Sequence, residues 1–352
     1  MSRFFTTKLS ALKPYTPGEQ PQDMQYVKLN TNESPYPPSP KALAYARDAA
    51  SSLMLYPDPE YKVLCAKIAE VLGVQADQVV VGNGSDEILD FAFAAFCEKG
   101  AVYPDTSYGF YPVFACMNGV SGTEIPVGDD LPINPADYAG AGKTVFIANP
   151  NAPSGVALSL SDIETIVRSN PDSVVVIDEA YVDFGAVSAV PLTKKYDNLL
   201  VVQTFSKSRS LAGARFGFGI GSPELISDLN RIRFSKNPYN VSRTTAAAAL
   251  GALEDEDITR ENCRKIMETR RRTAERLKAM GFTGPESSTN FLFIKHPEID
   301  GKELYLKLKE RGVLVRHFDK ERIAAYNRVT IGTDEQMEIF ITTVSAILEE
   351  MK

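Results

Sequence analysis

In the stretch Leu199-Leu200-Val201-Val202-Gln203-Thr204-Phe205-Ser206-Lys207-Ser208-Arg209-Ser210-Leu211-Ala212-Gly213-Ala214-Arg215, an apolar run breaks abruptly into a loop of hydroxyls and cations. The run is too short for an amphipathic helix and carries no alternation of apolar and polar residues, so it reads as a strand buried on both faces. The same design recurs upstream. Val174 to Ile177 ends at Asp178-Glu179, Thr144 to Ala148 ends at Asn149-Pro150, and Val79 to Val81 ends at Gly82-Asn83-Gly84. One-faced helical stripes lie between them, at Glu87 to Cys97 and Leu160 to Ser169. Strand, loop and helix in that order require crossover connections, and crossovers make a mostly parallel central sheet flanked by helices. In such sheets ligands gather beyond the carboxyl ends of the strands, where the polar residues of this chain are concentrated.

Working outward, a helix ends at Gly73 after the stripe Val63, Leu64, Ile68, Val71-Leu72. Before it, Pro14, Pro17, Pro35, Pro37, Pro38 and Pro40 block helix and sheet alike and predict an extended arm. Downstream, a long polar helix from about Asp257 to Met280 should leave the large domain. Short strands at Asn290 to Ile294, Val313 to Val315 and Arg328 to Ile331, with a helix from Lys302 to Arg311, then predict a smaller α+β domain. The expected division is an arm at 1–40 packing with the small domain, a large α/β domain at 41–270 and the small domain at 271–352.

With 352 residues, 44% hydrophobic and 24% charged, the composition is that of a soluble globular protein, long enough for a large domain and a partner. A net charge of -7 without any basic run argues against a nucleic-acid surface. No apolar stretch reaches the roughly 18 residues of a membrane span, and Met1 to Thr7 lacks the apolar centre of a signal peptide. Cys65, Cys97, Cys116 and Cys263 have neither paired nor metal-type spacing, and His296 and His317 are the chain's two histidines, so no metal site is expected. A reducing cytoplasm is the expected setting.

Four motifs carry chemistry. Lys207, on a loop after a buried strand, is a candidate amine nucleophile for a carbonyl, with Thr204, Ser206 and the planar fork of Arg215 suited to one phosphate. Asp178, at the end of a buried strand, needs a cationic partner, and a protonated pyridine nitrogen is one. Tyr181, three residues on, can reach the phenolic oxygen of the same ring. The glycine turn Gly82-Asn83-Gly84-Ser85-Asp86 opens a helix whose free N–H groups suit an anion, and Tyr108 can stack on a ring. Asn149-Pro150-Asn151-Ala152-Pro153-Ser154-Gly155 is a strand-end turn at the same edge. Taken singly, these have ordinary readings: a solvated lysine, a helix-capping aspartate, a packed tyrosine, plain turn chemistry.

Their combination and order resemble the fold-type I, class I/II aminotransferases over nearly the whole chain. The central pieces are the glycine turn, Tyr108, the Asn-Pro turn, Asp178-x-x-Tyr181, Ser206-Lys207 and Arg215 eight residues after the lysine. Within that group the likeness is greatest to the branch whose amino donor is histidinol phosphate. Leu29-Asn30-Thr31-Asn32-Glu33-Ser34-Pro35, Tyr56-Pro57-Asp58, and Arg316 with Arg328-Val329-Thr330-Ile331-Gly332-Thr333 support it. The resemblance implies pyridoxal 5'-phosphate held as a Schiff base on Lys207, which also shuttles the substrate's α-proton. Asp178 then pairs with the pyridine nitrogen, Tyr181 with the phenolic oxygen, and Tyr108 stacks on the ring. Ser85 and Asp86, mainly through backbone N–H groups, with Thr204, Ser206 and Arg215, hold the phosphate.

Tyr56 is implied to reach the cofactor of a neighbouring subunit in an obligate homodimer, and Tyr15, Asn32, Arg316 and Arg328 to meet the substrate. Two guanidinium groups suit a carboxylate or a phosphate, and the residues alone do not choose. The alternatives are an aromatic or broad-range aminotransferase, a threonine-phosphate decarboxylase, and a non-catalytic cofactor-binding domain of a regulator. One position departs from the family pattern: Ala152 stands where an Asn usually contacts the phenolic oxygen. Asn151 is expected to take over that contact, the alternative being that Tyr181 carries it alone.

Overall fold

The computed structural model describes residues 2–351; Met1 and Lys352 lie outside the described residues. The strands are β1 (Val27–Lys28), β2 (Val79–Gly82), β3 (Ala101–Pro104), β4 (Gly122–Ile125), β5 (Thr144–Ala148), β6 (Val175–Asp178), β7 (Leu199–Thr204), β8 (Gly217–Ile220), β9 (Phe291–Ile294), β10 (Val313–Leu314), β11 (Arg316–His317) and β12 (Asn327–Thr330). The α-helices are α1 (Pro40–Ala50), α2 (Lys62–Leu72), α3 (Ser85–Phe96), α4 (Tyr111–Asn118), α5 (Leu160–Arg168), α6 (Pro223–Lys236), α7 (Arg243–Glu254), α8 (Glu256–Ala279), α9 (Gly301–Glu310) and α10 (Asp334–Glu349).

Seven strands form the central sheet in the order β2-β8-β7-β6-β5-β3-β4. Strands β5, β6 and β7 are parallel and in step, with Ala148 opposite Asp178 and Asp178 opposite Val202, so their carboxyl ends form one edge. They are buried along their whole length, which is why they read as unbroken apolar runs. Strand β8 runs antiparallel to both neighbours. Its reversed direction sets Gly217, at its start, opposite Thr204 and Gly82, at the ends of β7 and β2. One antiparallel strand thus delivers Arg215 to the edge where the parallel strands deliver their polar termini.

Local signals place the helices. Ser39 accepts from the Ala42 N–H with Pro40 opening α1, and Gly73 closes α2 in the left-handed conformation. Ser159 and Asp162 form a reciprocal capping box for α5, as Thr333 and Gln336 do for α10. Apolar residues fill both faces of the central sheet. A separate core joins Leu29, Ile266 and Leu277 to β9, β12, α9 and α10.

The three-stranded sheet β11-β12-β9 is antiparallel, and β1 of the arm pairs in parallel with β10. The arm therefore lies on the C-terminal part of the chain. It is extended as its prolines suggest, with β1 between the two proline clusters, except that Thr7–Leu9 forms a 3-10 turn. The division expected at 270/271 falls inside α8, which is one continuous helix from Glu256 to Ala279.

Candidate active site

Two adjoining cavities open at the carboxyl edge of the central sheet. The inner one, about 350 Å³, is lined by Thr31, Glu33, Ser85, Asp86, Tyr108, Ala148, Ala152, Asp178, Ala180, Tyr181, Thr204, Ser206, Lys207, Ala212, Gly213 and Arg215. The outer one, about 480 Å³, shares Thr31, Tyr108, Ala152, Tyr181 and Lys207 and extends to Tyr15, Asn32, Arg316 and Arg328. Residues from six separate stretches of sequence meet in the inner cavity, one from the arm and five following strand ends of the central sheet.

The lysine loop is fastened at several points. The Leu211 N–H donates to the Phe205 carbonyl, and the buried Arg209 guanidinium donates to Glu256 at the start of α8 at 2.7 Å. The Ser210 hydroxyl bonds that of Ser34 at 2.8 Å. Lys207 Nζ donates to the Thr31 carbonyl at 3.3 Å. Burial, then the nearby Arg328 guanidinium, pull its amine down to about 8.

Asp178 is buried at the end of β6. Its carboxylate accepts from the Ala180 N–H at 3.2 Å and from the Tyr111 hydroxyl at 3.2 Å. Burial, and then the Asp86 carboxylate, push it up to about 7. The Tyr108 hydroxyl donates to Asp86 at 2.6 Å, while Arg215 reaches the other Asp86 oxygen at 3.2 Å. The Asp86 side chain is thus a bridge as well as the second residue of α3, a role the sequence did not suggest. Thr204 and Ser206 bond each other at 3.0 Å beside it. Gly84 offers α3 no side-chain cap, leaving the first N–H groups of the helix for a ligand.

Asn32 sits at φ 56° with its side chain buried, donating to the Tyr181 hydroxyl at 2.9 Å and accepting from Thr330 at 3.0 Å. Asn290 holds the Asn32 carbonyl at 3.0 Å. This chain of bonds links the arm, the small sheet and the Tyr181 loop.

Arg316 and Arg328 are cross-strand partners in β11 and β12, which puts their side chains on one face. Arg316 donates to the carbonyls of Thr16 and Pro17 at 2.8 and 2.9 Å. Arg328 donates to the Asn30 carbonyl at 3.1 Å, and its buried Nε has no partner among the described residues. Tyr15 stacks on Phe110 at 4.3 Å on the same wall.

Two expected residues are placed elsewhere. Asn151 is fully buried, but its amide donates to the Thr106 carbonyl at 2.9 Å and its oxygen accepts from Ser107 at 2.7 Å. Its hydrogen-bonding capacity is spent on the neighbouring loop, and Ala152, not Asn151, lines the cavities. Asn151, expected to take over the lost Asn contact, thus points its amide at the 106–107 loop, whereas Tyr181 lines both cavities. Tyr56 lies outside both cavities, 75% exposed, stacked on Tyr239 at 4.4 Å. Tyr111 and Thr31 were missed by sequence reading. The aromatic density of Tyr108-Gly109-Phe110-Tyr111 was the one signal for Tyr111, and nothing local points a phenol at a carboxylate 67 residues away. Among the described residues there is no cluster suited to a metal ion and no helix long and apolar enough to cross a membrane.

A mostly parallel sheet thus brings an amine, a buried carboxylate, an aromatic ring and uncapped helix N–H groups to one edge. The chain belongs to the aminotransferase class I and II family, whose model matches residues 24–344. It is similar to the histidinol-phosphate aminotransferase of Brachyspira hyodysenteriae, 48% identical over 99% of this chain and 100% of that one. The histidinol-phosphate aminotransferase of Marinomonas sp. is 51% identical over 96% of this chain and 97% of its own. Among solved structures, histidinol-phosphate aminotransferase from Sinorhizobium meliloti in complex with pyridoxal-5'-phosphate shares the fold at a TM-score of 0.90. It is 24% identical and covers 100% of this chain and 99% of its own.

Proposed function

We propose that this chain transfers an amino group from histidinol phosphate to 2-oxoglutarate, giving imidazole-acetol phosphate and glutamate in histidine biosynthesis, with pyridoxal 5'-phosphate as cofactor. The observation that carries the substrate reading is the Arg316–Arg328 pair. Like charges directly opposite in a sheet repel, and a half-buried guanidinium whose Nε is buried without a partner among the described residues is costly without an anion. The pair faces a cavity that ends at Lys207.

The inner cavity fits the cofactor. A Cβ at Gly217 would stand 2.2 Å from the Ser85 nitrogen, so glycine there lets β8 close on the start of α3 and complete a cradle of N–H groups, hydroxyls and Arg215. Ser85, Asp86, Thr204, Ser206 and Arg215 would hold the phosphate, Tyr108 would cover the ring, and Tyr181 would meet the phenolic oxygen. When bound, the cofactor supplies an electron sink for the charge left by the departing α-proton. Asp178 would supply the negative charge for the ring nitrogen. Lys207 carries the proton at Nζ, and its lowered basicity suits it to giving and taking that proton near neutrality. Asn32 keeps the Tyr181 hydroxyl in place, and Tyr15 of the arm lines the outer cavity.

The reading is tested by mixing the cofactor-loaded enzyme with histidinol phosphate alone. The visible absorbance should bleach in one turnover, and phenylalanine should not produce the bleach; the reverse preference would favour an aromatic aminotransferase. Arg328→Ala and Arg316→Ala should each lower kcat/KM for histidinol phosphate by about ten- to more than a hundred-fold, the loss expected for a charge-assisted hydrogen bond, while sparing the cofactor's absorbance. At least one of them should also slow the glutamate half-reaction, since the same cations must receive that donor's carboxylate. Full efficiency in both variants would remove the phosphate from this site.

The homodimer reading rests on residues 53–56. Leu53, Met54, Leu55 and Tyr56 form an exposed apolar segment, fixed by Arg243 to the Leu55 and Tyr56 carbonyls. A second subunit covering it would carry Tyr56 to the partner's cavity. Mixing Tyr56→Phe with Lys207→Ala chains should then restore part of the activity that each lacks. No recovery despite measured subunit exchange would count against shared sites. The setting proposed for this dimer is the cytoplasm, away from nucleic acid and membranes.

A further inference from the structure

Tyr111 is fully buried at the first position of α4, yet it lines neither cavity. Its ring packs edge-on against Tyr108 at 5.7 Å and against Tyr103 and Phe146 at 5.8 and 5.9 Å. Among the described residues its hydroxyl makes one side-chain hydrogen bond, to Asp178 Oδ2 at 3.2 Å. The other carboxylate oxygen accepts from the Ala180 N–H. Each oxygen of Asp178 therefore holds one donor from behind, and what remains of its accepting capacity faces the inner cavity.

We propose that Tyr111 is a positioning residue for the reaction: its hydroxyl fixes the Asp178 carboxylate in the anionic, cavity-facing arrangement that the cofactor ring requires. The proposal rests on the reading of the inner cavity as the cofactor site. A neutral donor bonded to an anion stabilises the charged form, and a fully packed phenol ring supplies that donor at a fixed angle. The other groups facing Asp178 do not do this. Asp86, from the start of α3, opposes the charge, and Tyr108 and Tyr181 act on it only at longer range. Tyr111 and the Ala180 amide are the two groups that favour the carboxylate.

The test removes one oxygen atom and keeps the ring. In the apoprotein, the Asp178 carboxyl band is followed by infrared titration and assigned by its absence in Asp178→Asn. Tyr111→Phe should move its midpoint to higher pH, by half a unit or more; an unmoved midpoint overturns the proposal. Pyridoxal phosphate is then titrated into wild type, Tyr111→Phe, Asp178→Asn and the double variant. Tyr111→Phe alone should weaken binding roughly ten-fold, the size expected of a hydrogen bond to a charged group. In the Asp178→Asn background it should weaken binding much less, because the group it acts through is gone. An equal loss in both backgrounds would mean that Tyr111 acts by packing alone, and would also overturn the proposal. Failure of wild type to bind pyridoxal phosphate would instead sink the cofactor reading, and the infrared titration would still judge the Tyr111–Asp178 link.

Discussion

Lys207→Ala is expected to abolish the Schiff-base absorbance band of the cofactor-loaded protein and to lower turnover by more than about a thousand-fold, because attachment and proton transfer depend on one amine. An ordinary lysine is neutral in about one molecule per thousand at pH 7.5, whereas one lowered to about 8 is neutral in roughly a quarter. That fraction is produced by burial and by Arg328, while the loop contacts through Arg209, Ser210 and Leu211 hold the amine at its post. The substitution leaves those contacts in place, so the variant should fold and still bind pyridoxal phosphate without covalent attachment. Borohydride reduction of the wild type should label a single peptide, the one containing Lys207. Label on any other lysine would overturn the assignment.

How much of this was legible beforehand depended on how local each determinant is. The buried strands at 144–148, 175–178 and 199–204 announce themselves as apolar runs because both their faces are covered. Strand β4 does not: it is an edge strand of four partly exposed residues, Gly122–Ile125, with little apolar character. The lysine loop, Asp178 and the glycine turn were readable because strand ends in a parallel sheet converge whatever the details. The orientation of Asn151 was not, since it is decided by Thr106 and Ser107, 45 and 44 residues away in sequence. The facing of Arg316 and Arg328 likewise requires the register of β11 against β12, which their spacing does not reveal. The continuity of α8 across the expected domain division is of the same kind, because a polar helix carries no mark of where one core ends and the next begins.

Asp178→Asn is expected to give the second large effect, and in opposite directions with and without the cofactor. In the apoprotein the carboxyl has been raised from 3.8 to about 7, by burial first and then by Asp86. Between those values the folded state binds more protons than the unfolded state, so stability falls as pH rises through the window, and the full cost is present above about 7. That rise corresponds to on the order of 4 kcal/mol. The uncharged Asn keeps the shape and escapes this cost, so at pH 8 the apo variant should melt a few degrees above wild type, and at pH 4 the difference should vanish. Glu179, also raised to about 7, is present in both proteins and cancels in the comparison. With cofactor bound the order should reverse. The variant lacks the anion that pairs with the ring, and breaking a buried ion pair costs roughly 3–5 kcal/mol, or about two to more than three powers of ten in the rate of α-proton removal. Stability given up by the empty protein would then be the counterpart of charge held ready for the cofactor. Equal melting at pH 8, together with normal single-turnover rates, would reduce Asp178 to the end of a strand.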